Sequence, residues 1–206
     1  MSDSPRLLVF AKAPLPNTAK TRLIPALGAR GAAALAEKML HHTLRECTAA
    51  AIGPVELCVA PDRDHPYWRE CTLPADIEVS DQGEGDLGQR LWRAAARTTT
   101  TGEPVLLLGT DCPQLTAARL RAAAAALQEA DAVMHPARDG GYTLLGLNRV
   151  ESALFEGIAW STAAVARQTR ERLVQCGMRS IQLETLTDID EPEDLEALPA
   201  DWGFAG

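Results

Sequence analysis

Apolar runs of strand length alternate with segments of helical period along the chain, and this alternation limits the fold more than any other feature. We expect strands at Leu7–Ala11, Val55–Ala60, Ile77–Val79, Val105–Gly109, Ala132–His135, Tyr142–Leu147 and Met178–Leu183. We expect helices at Ala29–Ala51, Leu87–Thr99, Thr116–Glu129, Ala163–Cys176 and Pro192–Leu198. This order predicts right-handed crossovers and an α/β three-layer sandwich, with helices on both faces of a mostly parallel sheet. One domain is expected over residues 1–206, with the irregular segment 137–162 as a small lobe.

Composition excludes several classes of protein. Hydrophobic residues make up 46% and charged residues 23%, as in ordinary globular chains. Twenty Lys and Arg against 28 Asp and Glu give a net charge of −8, which disfavours nucleic acid or an anionic membrane as partner. No apolar stretch is long enough to span a membrane, and the N-terminus lacks a secretory layout. The five scattered cysteines include no CxxC pair, so we expect reduced thiols and a cytoplasmic location.

The loop after the first strand is basic within an acidic chain. No acidic residue occurs between Asp3 and Glu37, whereas this window contains Arg6, Lys12, Lys20, Arg22 and Arg30. Two prolines stiffen the loop, and a helix N-terminus follows it. The glycine patterns of P-loops and of dinucleotide-binding folds are absent. The loop is therefore predicted to bind a phosphate or diphosphate through side chains, the alternative being a solvated basic turn.

A carboxylate follows the most aliphatic strand, in the run Gly109 to Pro113. Ligands bind beyond the carboxyl ends of parallel strands, so Asp111 is expected at the mouth of the site. Carboxylates suit Mg²⁺ or Mn²⁺, which neutralise phosphate oxygens. The alternative is that Asp111 caps a turn.

A second acidic group occurs near the C-terminus. If this segment is extended with Ile189 pointing inward, Asp188 and Asp190 point the same way and supply further carboxylates to the metal. Alternatively, Asp190 caps a helix with Glu193 as its capping-box partner, or Pro192 takes the first helical position, and the acidic run is a solvated helix face.

Three weaker motifs complete the candidate site. Arg138 to Tyr142 is either a hairpin turn or a substrate loop in which Asp139 acts as hydrogen-bond acceptor or base. Gln82 to Arg90 is a loop that enters a helix, with Asp86 as its N-cap. The run Trp160 to Thr162 is either an aromatic wall of the site or, through Ser161 or Thr162, a helix cap.

Taken in order, these motifs resemble a bacterial family of glycosyltransferase-like proteins of the nucleotide-diphospho-sugar transferase type. That family includes transferases of arsenosugar biosynthesis and transferases associated with radical-SAM and selenodomain proteins. The resemblance is carried by Phe10 to Pro14, Lys20 to Leu23, Asp86 to Arg90, Gly109 to Pro113, Asp139 to Tyr142, Trp160 to Thr162 and Asp188 to Leu195. It implies the GT-A fold.

The resemblance also implies roles for individual residues. Lys12, Lys20 and Arg22 contact the donor phosphates, and Gln82 and Asp86 lie near the base or ribose. Asp111 is the acidic metal ligand, joined by Asp188 and Asp190, with Mg²⁺ or Mn²⁺ as cofactor. Asp139 and Asp111 are catalytic, and the sugar or acceptor side comprises Gly140, Gly141, Tyr142, Trp160 and Ser161. This chain departs from the family in having Asn17 where relatives have glycine, and in lacking a full Asp-x-Asp at Asp111.

The resemblance implies a metal-dependent transferase with a nucleotide-activated donor and a small-molecule acceptor. Glycosyl transfer from a nucleotide-diphospho-sugar is the first hypothesis, because the loop after strand one is rich in lysine and proline rather than glycine. The alternatives are nucleotidylyl transfer with release of pyrophosphate, and a non-catalytic nucleotide-binding protein.

Overall fold

A computed structural model describes residues 4–99 and 102–204. Its strands are β1 (Arg6–Lys12), β2 (Val55–Ala60), β3 (Ile77–Asp81), β4 (Val105–Leu108), β5 (Ala132–Pro136), β6 (Tyr142–Leu147) and β7 (Ser180–Gln182). Its α-helices are α1 (Ile24–Ala50), α2 (Pro66–Glu70), α3 (Leu87–Thr99), α4 (Ala117–Leu127) and α5 (Val165–Gln175). Short 3₁₀ turns occur at Thr21–Leu23, Ser152–Leu154, Pro192–Ala197 and Ala200–Trp202. None of these helices is long and apolar enough to cross a membrane.

In the described part of the chain, the strands form a seven-stranded sheet in the order β3-β2-β1-β4-β6-β5-β7. All neighbouring pairs are parallel except those of β6, which runs antiparallel to β4 and to β5. The turn at residues 137–141 is too short for a crossover, so β5 and β6 must form a hairpin. The predicted mostly parallel sheet is confirmed. Of the segment 137–162, residues 142–147 therefore lie in the middle of this sheet as β6.

Alternate side chains of the central strands enter cores on opposite faces of the sheet. Leu7 and Val9 of β1 pack in one core with Leu40 of α1 and Leu120 of α4. Leu8 packs in the other core, whose helical members come from α3 and α5. Both faces are thus covered by helices, which confirms the three-layer sandwich. Alanines such as those of α3 and α4 fill both cores, as expected of a chain with 4% aromatic residues.

A smaller core joins the C-terminal segment to α1. Leu23, Leu35 and Met39 pack there against Ile189 and Trp202. Ile189 is fully buried, so this core fixes the position of the acidic segment on either side of it.

Several element boundaries differ from the predictions for local physical reasons. Helix α1 begins at Ile24 rather than at residue 29, because Pro25 suits a first helical turn, and the helix is kinked at Gly28 (φ 69°). Thr116 occupies the N-cap position of α4, but its side chain makes no cap bond, and the Ala117 N–H donates instead to Glu46 Oε2 at 2.8 Å. The predicted final helix is a 3₁₀ turn. Helix α2 was not predicted.

Candidate functional site

A cavity of about 710 Å³ opens beyond the carboxyl ends of β1 and β4. Residues from all the sequence motifs line it: Lys12, Lys20, Arg22, Gln82, Asp86, Asp111, Asp139, Gly141, Tyr142, Trp160, Ser161, Asp188 and Asp190. The sheet topology explains the convergence, since the parallel strands β1 and β4 are neighbours and end at the same edge. Gly140 is the one predicted site residue outside this lining.

Lys20 lies inside the cavity rather than on its rim. Its side chain is 7% exposed, and its ammonium contacts Asp111 Oδ1 at 2.7 Å and Asp190 Oδ1 at 2.8 Å. It also donates to the carbonyl oxygen of Ile189 at 2.6 Å. Burial favours a lower pKa for Lys20, but the two carboxylates outweigh it and hold the pKa above its ordinary value. Lys20 therefore links the loops that carry the two acidic motifs.

The other two predicted phosphate ligands lie on the cavity rim. Lys12 is exposed, and its side chain makes no hydrogen bond or ion pair with any residue that the structure describes. Arg22 contacts Glu191 Oε1 at 3.0 Å, in a pair of which both side chains are half or more exposed. Such a solvated pair is weak and can be exchanged for a phosphate at little cost. The loop between Lys12 and Arg22 turns at Asn17, whose φ of 64° is a conformation that asparagine tolerates.

Carboxylate oxygens of Asp139, Asp188 and Asp190 lie within 4.8 Å of one another. Burial raises the pKa of Asp188 to about 7, helped by the charges of Asp139, Asp190 and Asp111. The backbone explains the arrangement, because Ile189 N–H donates to Asp111 O at 2.8 Å while the Ile189 side chain points into the core. The prediction that Ile189 points inward while Asp188 and Asp190 point the same way is confirmed.

A capping box is present in this segment, but its two residues differ from the predicted pair. Glu191 and Asp194, rather than Asp190 and Glu193, form a capping box around Pro192 at the start of the 3₁₀ turn. Asp194 Oδ2 accepts from the backbone N–H of both Asp190 and Glu191. The Asp190 side chain is consequently not used as a cap and faces the cavity.

The donor set fits a hard divalent cation. Mg²⁺ binds oxygen at about 2.1 Å, so its ligand oxygens lie at most about 4.2 Å apart. A shift of less than about 1 Å brings the oxygens of this group, which lie within 4.8 Å of one another, to that spacing. The group comprises Asp139, Asp188 and Asp190. No histidine or cysteine belongs to this group, so the chemistry favours Mg²⁺ or Mn²⁺ over softer ions. Asp139 was predicted as a base and not as a member of this group.

The turn at residues 137–141 joins β5 and β6 as the predicted hairpin, and its predicted role as a substrate loop stays a prediction. Asp139 Oδ1 accepts from the Gly141 N–H at 2.7 Å, which forms an Asx turn, and Asp139 also lines the cavity. Gly140 has a φ of 91°, and a Cβ there would lie 2.2 Å from the Ala163 oxygen. Gly140 is therefore required for packing. The Tyr142 hydroxyl is buried without a partner among the described residues, and this burial raises its pKa.

The Gln82 side chain is committed largely to the sheet. Its amide donates to the carbonyl oxygens of Ala11 and Cys58 at 3.0 and 2.9 Å, which leaves its own oxygen facing Arg90. Both amide protons are used, so hydrogen-bond donation from Gln82 to a base is unavailable without breaking these contacts. Asp86 and Gln89 form reciprocal hydrogen bonds at the start of α3, which confirms the predicted N-cap.

Helix α3 and the segment around Trp160 form one wall of the cavity. A Cβ on Gly88 would lie 2.7 Å from Trp160 Nε1, so glycine at this position allows the indole to contact the helix. Arg90 lines the same wall and donates to the Gly85 carbonyl oxygen, yet it was not among the predicted site residues. Its position four residues after Asp86 places both on one face of α3, a signal that the sequence does contain.

Comparison with solved structures supports this fold. A protein from Desulfovibrio desulfuricans G20, described as a candidate nucleotide-diphospho-sugar transferase, is 31% identical with a TM-score of 0.84, over 93% of this chain and 84% of that chain. Rv0371C of Mycobacterium tuberculosis H37Rv in complex with manganese is 17% identical with a TM-score of 0.55, over 95% and 97%. The 4-diphosphocytidyl-2C-methyl-D-erythritol synthase of Anaerococcus prevotii DSM 20548 is 13% identical with a TM-score of 0.61, over 93% of each chain.

These matches confirm the predicted fold of the nucleotide-diphospho-sugar transferases. No curated protein matches the chain significantly. A family model, described as uncharacterized protein conserved in bacteria (DUF2064), matches residues 43–162. Because this match spans more than half of the 206 residues, the chain belongs to that bacterial family.

Proposed function

We propose that this protein is a divalent-metal-dependent glycosyltransferase that takes a nucleotide-diphospho-sugar as donor. The main support for this proposal is that cations and carboxylates line the same cavity. Lys12 and Arg22 lie on its rim, and Asp139, Asp188 and Asp190 lie within it. A diphosphate with a bridging divalent ion satisfies both sides at once, since its oxygens bind the cations and the ion binds the carboxylates.

The donor is proposed to lie along the ends of β1 and β4. Lys12 and Arg22 contact the diphosphate, and the nucleoside extends toward Gln82 and Asp86. The Gln82 oxygen and the Asp86 carboxylate are acceptors, so they suit hydroxyl or N–H donors of the ribose and base. The sugar then lies toward Tyr142 and Trp160, on the side proposed for the acceptor together with Gly140, Gly141 and Ser161.

Asp188 and Asp190, with Asp111 beside them, are the residues that would hold Mg²⁺ or Mn²⁺, which leaves the neighbouring Asp139 carboxylate free for the acceptor. The ion, when bound, neutralises charge on the diphosphate as it leaves. The manganese complex of the Mycobacterium tuberculosis protein supports a divalent ion in this fold. The proposal includes both ions, Mg²⁺ and Mn²⁺.

In the proposed reaction, the bond between the anomeric carbon and the diphosphate oxygen breaks, and its electron pair leaves with the nucleoside diphosphate. An acceptor oxygen forms the new bond to that carbon and loses its proton. Asp139 is an exposed carboxylate at the cavity and is proposed as the group that accepts this proton. Positive charge develops on the sugar ring, as in glycoside hydrolysis.

The assignment of this chain to the arsenosugar-biosynthesis or radical-SAM-associated subtype of transferase stays a prediction.

The test is a thermal-shift screen of UDP-, GDP-, CDP- and dTDP-sugars with Mg²⁺ or Mn²⁺, followed by assay of sugar release. A donor at 100 times its Kd stabilises the folded state by about 2.7 kcal/mol, which raises the Tm by about 5–10 °C. Asp190→Asn is expected to lose the metal-dependent part of this shift. Glu193→Gln is the matched control, since it removes an exposed carboxylate of the same acidic run.

Failure of every nucleotide-sugar to shift the Tm would contradict the proposal. Pyrophosphate release from a nucleoside triphosphate and a sugar phosphate would support nucleotidylyl transfer instead. Metal-dependent nucleotide binding without turnover of any donor would support a binding protein.

A further inference from the structure

The Lys20 ammonium has no proton left for a ligand. Its three N–H groups are taken up by Ile189 O at 2.6 Å, Asp111 Oδ1 at 2.7 Å and Asp190 Oδ1 at 2.8 Å. The side chain is 7% exposed, whereas that of Arg22 is 66% exposed. An ammonium with all three donors satisfied binds a phosphate only after it gives up a carboxylate. Lys20 therefore differs in kind from Lys12 and Arg22 on the rim.

We propose that Lys20 is an internal counterion that competes with the divalent ion for Asp111 and Asp190. This inference rests on the proposed function and assigns Lys20 a positioning role within the same site. In the metal-free protein, its ammonium holds the Asp111 loop against the segment that carries Asp188 and Asp190. Its release from these carboxylates is coupled to divalent binding and leaves a cation free to contact the donor diphosphate.

Two features of the geometry support competition rather than coexistence. The Asp190 carboxylate belongs both to the Lys20 pair and to the group of three carboxylates that fits a divalent ion. An ammonium on one of its oxygens and a doubly charged ion on the same group would repel each other across a few ångströms. Burial of Lys20 limits screening of that repulsion by water.

The ion pairs of Lys20 also explain how acidic residues from distant parts of the chain lie close together. Asp111, Asp188 and Asp190 all contribute repulsion at one end of the cavity. A single buried cation between Asp111 and Asp190 offsets part of this repulsion. Loss of that cation leaves carboxylates whose most favourable new partner is a divalent ion.

The test measures Mn²⁺ binding by calorimetry, without any nucleotide, in the wild type, Lys20→Met and Lys20→Gln. The glutamine variant keeps an N–H donor for Ile189 O while it removes the charge, so it serves where the methionine variant folds poorly. We expect at least about tenfold tighter Mn²⁺ binding in a folded Lys20 variant, since a competing cation has been removed. Lys12→Met is the matched control, because it removes an unpaired cation from the same cavity, and a change below about threefold is expected.

A second readout follows the lysine directly. In protein labelled with ¹⁵N-lysine, titration of Mg²⁺ is expected to shift the Lys20 side-chain resonance, which is assigned by its loss in Lys20→Gln. Unchanged or weaker Mn²⁺ binding in both Lys20 variants, with normal binding in the wild type, would overturn the inference and leave the proposed function standing. Absence of Mn²⁺ binding in the wild type and in all variants would overturn both.

Discussion

Replacement of Asp188 by asparagine is expected to stabilise the metal-free protein at alkaline pH. Burial and the charges of Asp139, Asp190 and Asp111 raise the pKa of this carboxyl to about 7 in the folded state. In the unfolded state its pKa is near 3.8. Ionised Asp188 therefore costs folding free energy, and an uncharged amide of similar shape removes that cost.

The magnitude follows from the size of the pKa difference. A rise of about 3 units corresponds to about 4 kcal/mol at 1.36 kcal/mol per unit. The carboxyl is only partly buried, and water screens its neighbours, so we expect about 1–2 kcal/mol in practice. Between pH 3.8 and pH 7 the folded state binds more protons than the unfolded state, so the free energy of unfolding of the wild type falls as pH rises and levels off above pH 7.

The assay is urea unfolding followed by circular dichroism, in EDTA, at pH 5 and pH 8. Asp188→Asn is expected to gain about 1–2 kcal/mol over the wild type at pH 8 and a smaller amount at pH 5, where part of the folded wild type still carries the proton. Glu193→Gln, which lies in the same acidic run, is expected to gain nothing. If Asp188→Asn is no more stable than the wild type at pH 8, or gains the same amount at both pH values, ionised Asp188 does not cost the folded state this free energy.

Two further predictions concern packing and capping. Gly88→Ala is expected to lower the Tm by about 2–10 °C, because its Cβ would lie 2.7 Å from Trp160 Nε1. Gly109→Ala is the control, since its Cβ would meet no atom within 4 Å, and it is expected to leave the Tm unchanged. Equal Tm values for the two variants in a calorimetric scan would contradict the packing argument. Glu46→Ala is expected to cost about 0.5–2 kcal/mol in urea unfolding through loss of the acceptor for the Ala117 N–H, and Thr116→Ala almost nothing. A larger cost for Thr116→Ala would show that the hydroxyl is the cap.

Most of the fold could be predicted because the hydrophobic period is a local property. The strands Val55–Ala60 and Tyr142–Leu147 and the helix Leu87–Thr99 have the bounds that their apolar patterns predict. Element boundaries that depend on other interactions differ from the predicted ones. Helix α1 begins early because of Pro25, and the edge strand β7 is shorter than its apolar run, since only β5 pairs with it.

The gathering of the site residues could also be predicted, since strand ends in a parallel sheet meet at one edge. What the sequence could not supply was the pairing within that site. Whether the Lys20 ammonium points to solvent or between two carboxylates depends on the backbone conformation of the loop (φ 47° at this residue) and on the distance to a segment 170 positions away. No local pattern encodes either quantity, and the same applies to Asp139 beside Asp188.

In the proposed site, a divalent ion would join the carboxylates to a diphosphate held by the cations on the rim. A crystal structure with Mn²⁺ and UDP tests this arrangement, because anomalous scattering locates the metal. We expect one strong anomalous peak within about 2.3 Å of carboxylate oxygens of Asp188 and Asp190, with the diphosphate between that peak and Lys12 or Arg22. A peak away from these carboxylates, or a diphosphate bound outside this cavity, would contradict this arrangement.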